Sequence, residues 1–152
     1  MTTVLNGADE LKAKVGEHLG YSSYHEVTQE QVNLFADATG DHQWIHVDVE
    51  RALAESPFGG PSAHGYLTLS LTNLFLPQVV DVQGVSLGVN RGTGKIRCPS
   101  PVPVGSRLRA GVELAEVVDV KGGIDTMMVI TVEREGSEKP VCVVESLSRY
   151  LA

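Results

Sequence analysis

Cysteine is almost missing from this chain. Cys98 and Cys142 are the only two in 152 residues. They are too few and too far apart in sequence for a zinc motif or a disulfide framework. Two buried, reduced thiols are the expectation, since free cysteine behaves as a small buried hydrophobe. Basic residues are also scarce: twelve Lys and Arg against nineteen Asp and Glu give a net charge of −7. Such a field disfavours nucleic acid or an anionic membrane as the main partner, although a local basic patch could still hold an anionic ligand. No apolar run approaches the roughly 18 residues that a membrane span requires. The opening "MTTVLNGADELKAKVG" lacks an apolar signal core, and "SRYLA" at the other end carries no targeting motif. The expected location is the cytoplasm. Repeats, linkers and low-complexity segments are lacking too.

What remains is one domain of ordinary size, 42% hydrophobic and 20% charged, with enough chain to bury a core unaided. Its first half patterns as helix. "ADELKAKVGEHLG" spaces Leu11, Val15 and Leu19 by four and predicts a short amphipathic helix stopped by Gly20. "SSYHEVT" predicts a short strand. Thr28 and Gln31 then form a capping-box signal for a helix that ends at Gly40, with Val32, Phe35, Ala36 and Thr39 on one face. "ERALAESPFGGPSA" is a turn of helix followed by a Pro/Gly loop. In "HGYLTLSLTNLFLPQVV", Leu67, Leu69, Leu71, Leu74, Phe75 and Leu76 surround the axis, which predicts a buried helix closed by Pro77.

From Val82 onward the pattern is strand. "VQGVSLGVN", "GKIRCPSPV", "SRLRAGVELAEVVDV", "IDTMMVITVERE" and "KPVCVVESLSRYL" are Val- and Thr-rich runs separated by Gly and Pro. Helices followed by a strand meander define an α+β fold, with a long buried helix against a curled antiparallel sheet. Two local motifs mislead. "GVSLG" has the Gly-x-Ser-x-Gly form of serine hydrolases, but Ser86 lies among strand-like residues with no helix after it. "GTGK" lacks the spacer and hydroxyl of a phosphate loop and is expected to be a hairpin turn.

The chemically dense stretch is "ADATGDHQWIHVDVE", residues 36 to 50. His42 and His46 are four apart, the spacing of a helical metal pair, but Gly40 has just ended a helix and no third ligand is evident nearby. Taken singly, Asp41 is a turn former and His46 a loop histidine. Together, beside Trp44 and Ile45, they supply a carboxylate and an imidazole in a partly apolar setting. Those are the materials of general acid–base catalysis, and an imidazole ordinarily titrates close to neutrality. "PSAHGYLTLSL" then places Gly65 in the first turn of the buried helix. A free backbone N–H there could hold an oxygen gaining negative charge, and glycine lets a ligand come close.

"GDHQWIHVDVERALAESPFGGPSAHGYLTLSL" resembles the signature of the MaoC-like hydratases, the (R)-specific enoyl-CoA hydratases, and especially their nodulation-protein-N-like branch. The likeness runs from about Thr28 to the C-terminus, with "CPSPVPVGSRLRA" and "KPVCVVESLSRYLA" also fitting. Gly-Asp, a histidine five residues after the aspartate, and Pro-x-x-His-Gly occur in order. The resemblance implies a hot-dog fold over residues 1–152, usually assembled as a homodimer, and an acyl-CoA or acyl-carrier-protein thioester as substrate. It implies reversible hydration of a trans-2-enoyl-CoA to an (R)-3-hydroxyacyl-CoA with no metal or redox cofactor. Asp41 and His46 become the catalytic pair that activates water, and Gly65 the backbone donor to the thioester carbonyl. Gln43, Trp44, Ser62 and His64 join Gly65 in the oxyanion and acyl pocket. Family members often carry Asn and Pro where this chain has Gln43 and Trp44, which bears on water orientation and acyl length. Lys95 and Arg97, with Arg107, are candidates for CoA phosphate, against the simpler reading of solvated strand charges. Thioester hydrolysis on the same fold and a catalytically silent acyl-thioester-binding subunit are the alternatives.

Overall fold

A computed structural model describes residues 1–152. The chain opens with β1 (Thr3–Asn6), α1 (Gly7–Ala13), β2 (His18–Tyr21) and β3 (His25–Glu26). Five helices follow: α2 (Gln29–Thr39), α3 (Trp44–Val47), α4 (Val49–Glu55), α5 (Gly65–Ser70) and α6 (Thr72–Val79). Then come β4 (Val80–Gln83) and four long strands, β5 (Leu87–Arg97), β6 (Arg107–Val120), β7 (Gly123–Arg134) and β8 (Cys142–Leu151). The main sheet has the order β2-β6-β7-β8-β5, with β3 also on β6, and every pairing in it is antiparallel. β1 and β4 form a separate parallel pair.

The period-2 rule shows most clearly in β7, where buried Ile124, Thr126, Met128, Ile130 and Val132 alternate with half-covered residues. The sheet curls around α6, whose Phe75 and Val79 are fully buried and which touches β2, β6 and β7. α5 packs instead on β8. Helices on one face of a curled antiparallel sheet are the α+β arrangement the patterning predicts.

Several local expectations need correction. Leu11, Val15 and Leu19 do not share one helix. α1 ends at Ala13, Gly16 takes φ +89° and donates its N–H to Leu114 O at 2.7 Å, and Leu19 is buried in β2. A backbone pairing with β6 thus outcompetes the helical spacing. The capping box is half formed: Thr28 Oγ1 accepts from Gln31 N at 3.1 Å, but the Gln31 side chain bonds His25 at 3.0 Å. At the other end of α2, Gly40 adopts φ +82° and caps as expected.

The buried helix is two segments meeting at Leu71, and Pro77 lies inside α6 rather than closing it. Proline removes one N–H there, and the last turn still reaches Val79. Burial is one-sided, because the sheet covers a single face: Tyr66 and Leu74 are exposed while Leu67, Leu71 and Phe75 are not. "VQGVSLGVN" is not one strand, since Gly84 at φ +73° divides β4 from β5. "GTGK" is no hairpin turn. β5 runs straight through it against β8, and its glycines absorb register shifts between Asn90 and Gly92 and between Thr93 and Ile96. Ser86 donates its Oγ to Ala152 O at 3.0 Å and no helix follows, so the nucleophile context is missing. Of the two cysteines, only Cys142 is buried; Cys98 is exposed at the end of β5, because the strand there borders a cavity. No helix is long and apolar enough to cross a membrane.

Candidate active site

His46 sits on α3, the single helical turn that follows the α2 cap, and is 8% exposed. Its Nδ1 lies 2.7 Å from Ser62 O. A carbonyl only accepts, so Nδ1 carries the hydrogen, and in the neutral ring Nε2 keeps a free lone pair. The tie is reciprocal: Ser62 N donates to Ile45 O at 3.0 Å, and Gln29 Nε2 donates to His46 O at 2.8 Å. The imidazole is therefore held by a carbonyl 16 residues away, and the backbone that carries it is held by Gln29 and Ser62.

Asp41 follows Gly40 directly, with a side chain 53% exposed. Its Oδ1 accepts from Gln43 N at 3.3 Å, an Asx-turn contact, so the turn-former reading of Asp41 holds at the level of the backbone. The same geometry leaves the other carboxylate oxygen facing the histidines. His64 explains how. It is the N-cap of α5, 3% exposed, and its Nε2–H donates to the Asp41 carbonyl at 3.0 Å while lying 4.0 Å from Asp41 Oδ2. Its ring stacks on His46 with centroids 3.9 Å apart and packs against Phe35 at 4.9 Å. One nitrogen, His64 Nδ1, is buried with no partner.

Asp41, His46 and His64 thus bring one ligand-type atom each to within 4.8 Å of one another. That corrects the expectation that no third ligand lies near; it is supplied by His64, 18 residues on from His46. His42 is not part of the group. It is exposed and bonded to Asp37 at 3.0 Å, and that partner raises its pKa. Each ring has one nitrogen already engaged, His46 Nδ1 with Ser62 O and His64 Nε2 with the Asp41 carbonyl.

A cavity of about 370 Å³ opens beside His46. Ile45, Phe58, Ser62, Ala63, Gly65 and Thr68 form one wall, and Cys98 to Val102 with Val141 form the other. Gly65 begins α5, and its N–H has no backbone acceptor in the chain. α5 is only six residues long, so an acceptor at this N–H would be held by the hydrogen bond itself rather than by a long helix dipole. A Cβ added at Gly65 would meet nothing within 4 Å.

Other candidates fall elsewhere. Trp44 is half-buried against the Arg51 guanidinium, 4.2 Å over its ring, and is not in the cavity wall. Gln43 caps α3 by its backbone and also stands outside that wall. His64 lies behind the wall as a tether. Lys95 and Arg97 are exposed at the end of β5, just before Cys98, whereas Arg107 is engaged with Glu135 at 2.6 Å. Sequence reasoning missed the far wall. "CPSPV" has the Pro punctuation of a non-strand segment, and that signal could have separated it from β5.

An antiparallel sheet curled around a central helix, with a carboxylate and two histidines grouped near the start of α5, defines a hot-dog fold built around an apolar-walled site. R-Hydratase PhaJ1 from Pseudomonas aeruginosa, unliganded, shares that fold with a TM-score of 0.77 at 23% identity, over 95% of this chain and 85% of that one. The chain belongs to the MaoC-like domain family, which matches residues 10–136. It is 54% identical to 3-hydroxyacyl-thioester dehydratase Z of Mycobacterium tuberculosis (strain ATCC 25618 / H37Rv) over 144 residues, 94% of this chain and 95% of that protein. It is 41% identical to Nodulation protein N of Rhizobium leguminosarum bv. viciae over 134 residues, 86% of this chain and 83% of that one.

Proposed function

We propose that this protein is a hydro-lyase that reversibly adds water to a trans-2-enoyl thioester, giving the (R)-3-hydroxyacyl thioester. The carrying observation is that the Asp41 carboxylate groups with the His46 and His64 rings, while His46 and Gly65, whose N–H is free, line one cavity. The 54% identity to a protein named 3-hydroxyacyl-thioester dehydratase supports the same reading.

In this scheme a water sits between Asp41 and His46 and loses a proton to them as its oxygen attacks C3. The electron pair of the double bond moves toward the thioester carbonyl, whose oxygen gains charge and accepts from Gly65 N–H. C2 then takes a proton back from the same pair, so the site ends in its starting state. The proline-rich far wall and Phe58 hold the acyl chain away from water. Ser62 contributes through its carbonyl, which fixes the His46 tautomer. Lys95 and Arg97, free of ion-pair partners, are assigned to the phosphates of CoA or of a carrier protein's prosthetic arm. A second copy of the chain covers the outward apolar residues Tyr66, Leu74, Leu87, Val89 and Ile96, completing a homodimer.

The test is one incubation with crotonyl-CoA, following enoyl absorbance and free thiol together. Loss of absorbance without thiol release is the expected result. Thiol release would make the protein a thioesterase, and no change in either signal would make it a binding subunit.

A further inference from the structure

The β5–β8 ladder ends with Arg97 opposite Val143. Carried one step further, that register sets Cys98 opposite Cys142, and the two thiols are close enough to interact. Directly opposed residues in such a pair have Cα atoms about 4.5–5.5 Å apart, inside the about 4.4–6.8 Å range that a disulfide spans. Both thiols are free, one exposed and one fully buried. Burial above all, and then the neighbouring Cys98 thiol, push the Cys142 pKa up to about 12.

The simpler account is that both are space-filling residues at the edge of the core. That account suits Cys142 but not Cys98, which lines the cavity beside His46 and Gly65 and also a second cavity of about 240 Å³ with Tyr66, Leu69 and Ile96. Cys98 is followed by Pro99-Ser100-Pro101, a strip that forms the far wall and is already tied to the segment before β8 by Ser100 Oγ donating to Pro140 O at 2.8 Å. We propose that Cys98 and Cys142 oxidise reversibly to a disulfide, which draws the Cys98 side chain out of the cavity and pins this wall to β8.

The oxidant is a low-molecular-weight disulfide such as oxidised glutathione. The Cys98 thiolate attacks it, forming a mixed disulfide and releasing one glutathione thiolate. Cys142 loses its proton to solvent and attacks the Cys98 sulfur, forming the protein disulfide and releasing the second glutathione. Two protein thiols are oxidised and one glutathione disulfide is reduced, so the exchange balances. Cys98 is the entry point because it is exposed. Closure waits on the Cys142 thiolate, whose scarcity at neutral pH makes the second step the slow one.

The experiment treats the full, reduced chain with oxidised glutathione at mildly alkaline pH, quenches in acid, blocks residual thiols and weighs the product. The expected product is lighter by two hydrogen atoms and carries no blocking group or glutathione. It should revert with dithiothreitol and, below the Cys142 pKa, form about tenfold faster for each unit by which pH is raised. Cys98→Ser and Cys142→Ala should each abolish it. Two thiols that still take the blocking group, or a lasting glutathione adduct at Cys98 without closure, would overturn the proposal. The effect on the cavity rests on the hydration reading: kcat/KM for crotonyl-CoA should fall by about tenfold on oxidation, as a displaced wall misplaces the chain. An unchanged kcat/KM in fully oxidised protein would refute the coupling. The mass measurement decides the disulfide whether or not the reduced protein hydrates crotonyl-CoA, which separates the two failures.

Discussion

His46 divides its ring between two tasks, one nitrogen for the chain and one for the cavity. Because Ser62 O can only accept, the ring cannot turn over without losing a buried hydrogen bond, a loss of about 1–3 kcal/mol. Asp41 is placed by a different device, its carbonyl held by His64 and one carboxylate oxygen left 4.0 Å from the same ring. If these two side chains share one water, Asp41→Asn should preserve shape and lower turnover of crotonyl-CoA by about 10²–10⁴-fold, and His46→Gln should act similarly. The double variant should lose less than the product of the two single losses, since groups acting on one water are not independent. Single-variant turnover within a few-fold of the parent would remove the mechanism, and multiplicative losses would remove the shared water. That Asp41 and His46 lie close together was legible from their residue types and five-residue spacing. His64 as a tether was not legible: its acceptor is a carbonyl 23 residues away, and no local pattern reports such a contact. Trp44 misled for a related reason, since its ring is claimed by Arg51 on the next helix.

At the scale of an element, α5 is the piece on which the proposal turns. It starts immediately after His64, so the residue that tethers Asp41 also sets where the first helical N–H points. Strand alternation and the burial of Leu67, Leu71 and Phe75 could be read from residue types alone, and so could the α+β class. The break at Leu71, the passage of α6 through Pro77 and the straight run of β5 through "GTGK" could not. Each depends on what the sheet does across from it, where pairing overrides local turn chemistry. The proposed role of Gly65 is backbone-borne and can be separated from its size. Gly65→Pro deletes the N–H, and proline is well tolerated in a first helical turn. Gly65→Ala keeps the N–H and adds a methyl into open space within the chain. Loss of one oxyanion donor costs about 10²–10³ in turnover. Proline should therefore reduce kcat far more than alanine, with both variants folded by circular dichroism. Equal kcat values would mean that the carbonyl oxygen is held elsewhere.

For the whole molecule, the sheet must stay curled around α6 with only one face of the helix covered. Asp125 on β7 contributes at the end of the sheet distant from Cys142. It accepts from Arg149 of β8 through Nε at 2.6 Å and Nη2 at 2.9 Å, and from Arg91 Nη1 of β5 at 2.7 Å, joining three neighbouring strands through one carboxylate. The Arg149 hydrogen bonds, helped by the charges of Arg149 and Arg91, lower the Asp125 pKa below its ordinary 3.8. The sign of the linkage follows. A carboxyl group with a depressed folded-state pKa stabilises the fold above its unfolded value, and that contribution disappears as pH falls through the folded value. Asp125→Asn keeps the volume but removes the charge, so it should lower the thermal midpoint near neutral pH. The gap between parent and variant should narrow as pH falls below about 4, where the unfolded carboxyl takes up its proton, and close once the folded carboxyl is protonated as well. Salt should shrink the neutral-pH gap only in part, because the bidentate contact is hydrogen-bonded as well as charged. Thermal melts of the two proteins from acid to neutral pH check this directly, and a gap that stays constant across that range would show that the three-strand clasp does not depend on the Asp125 charge.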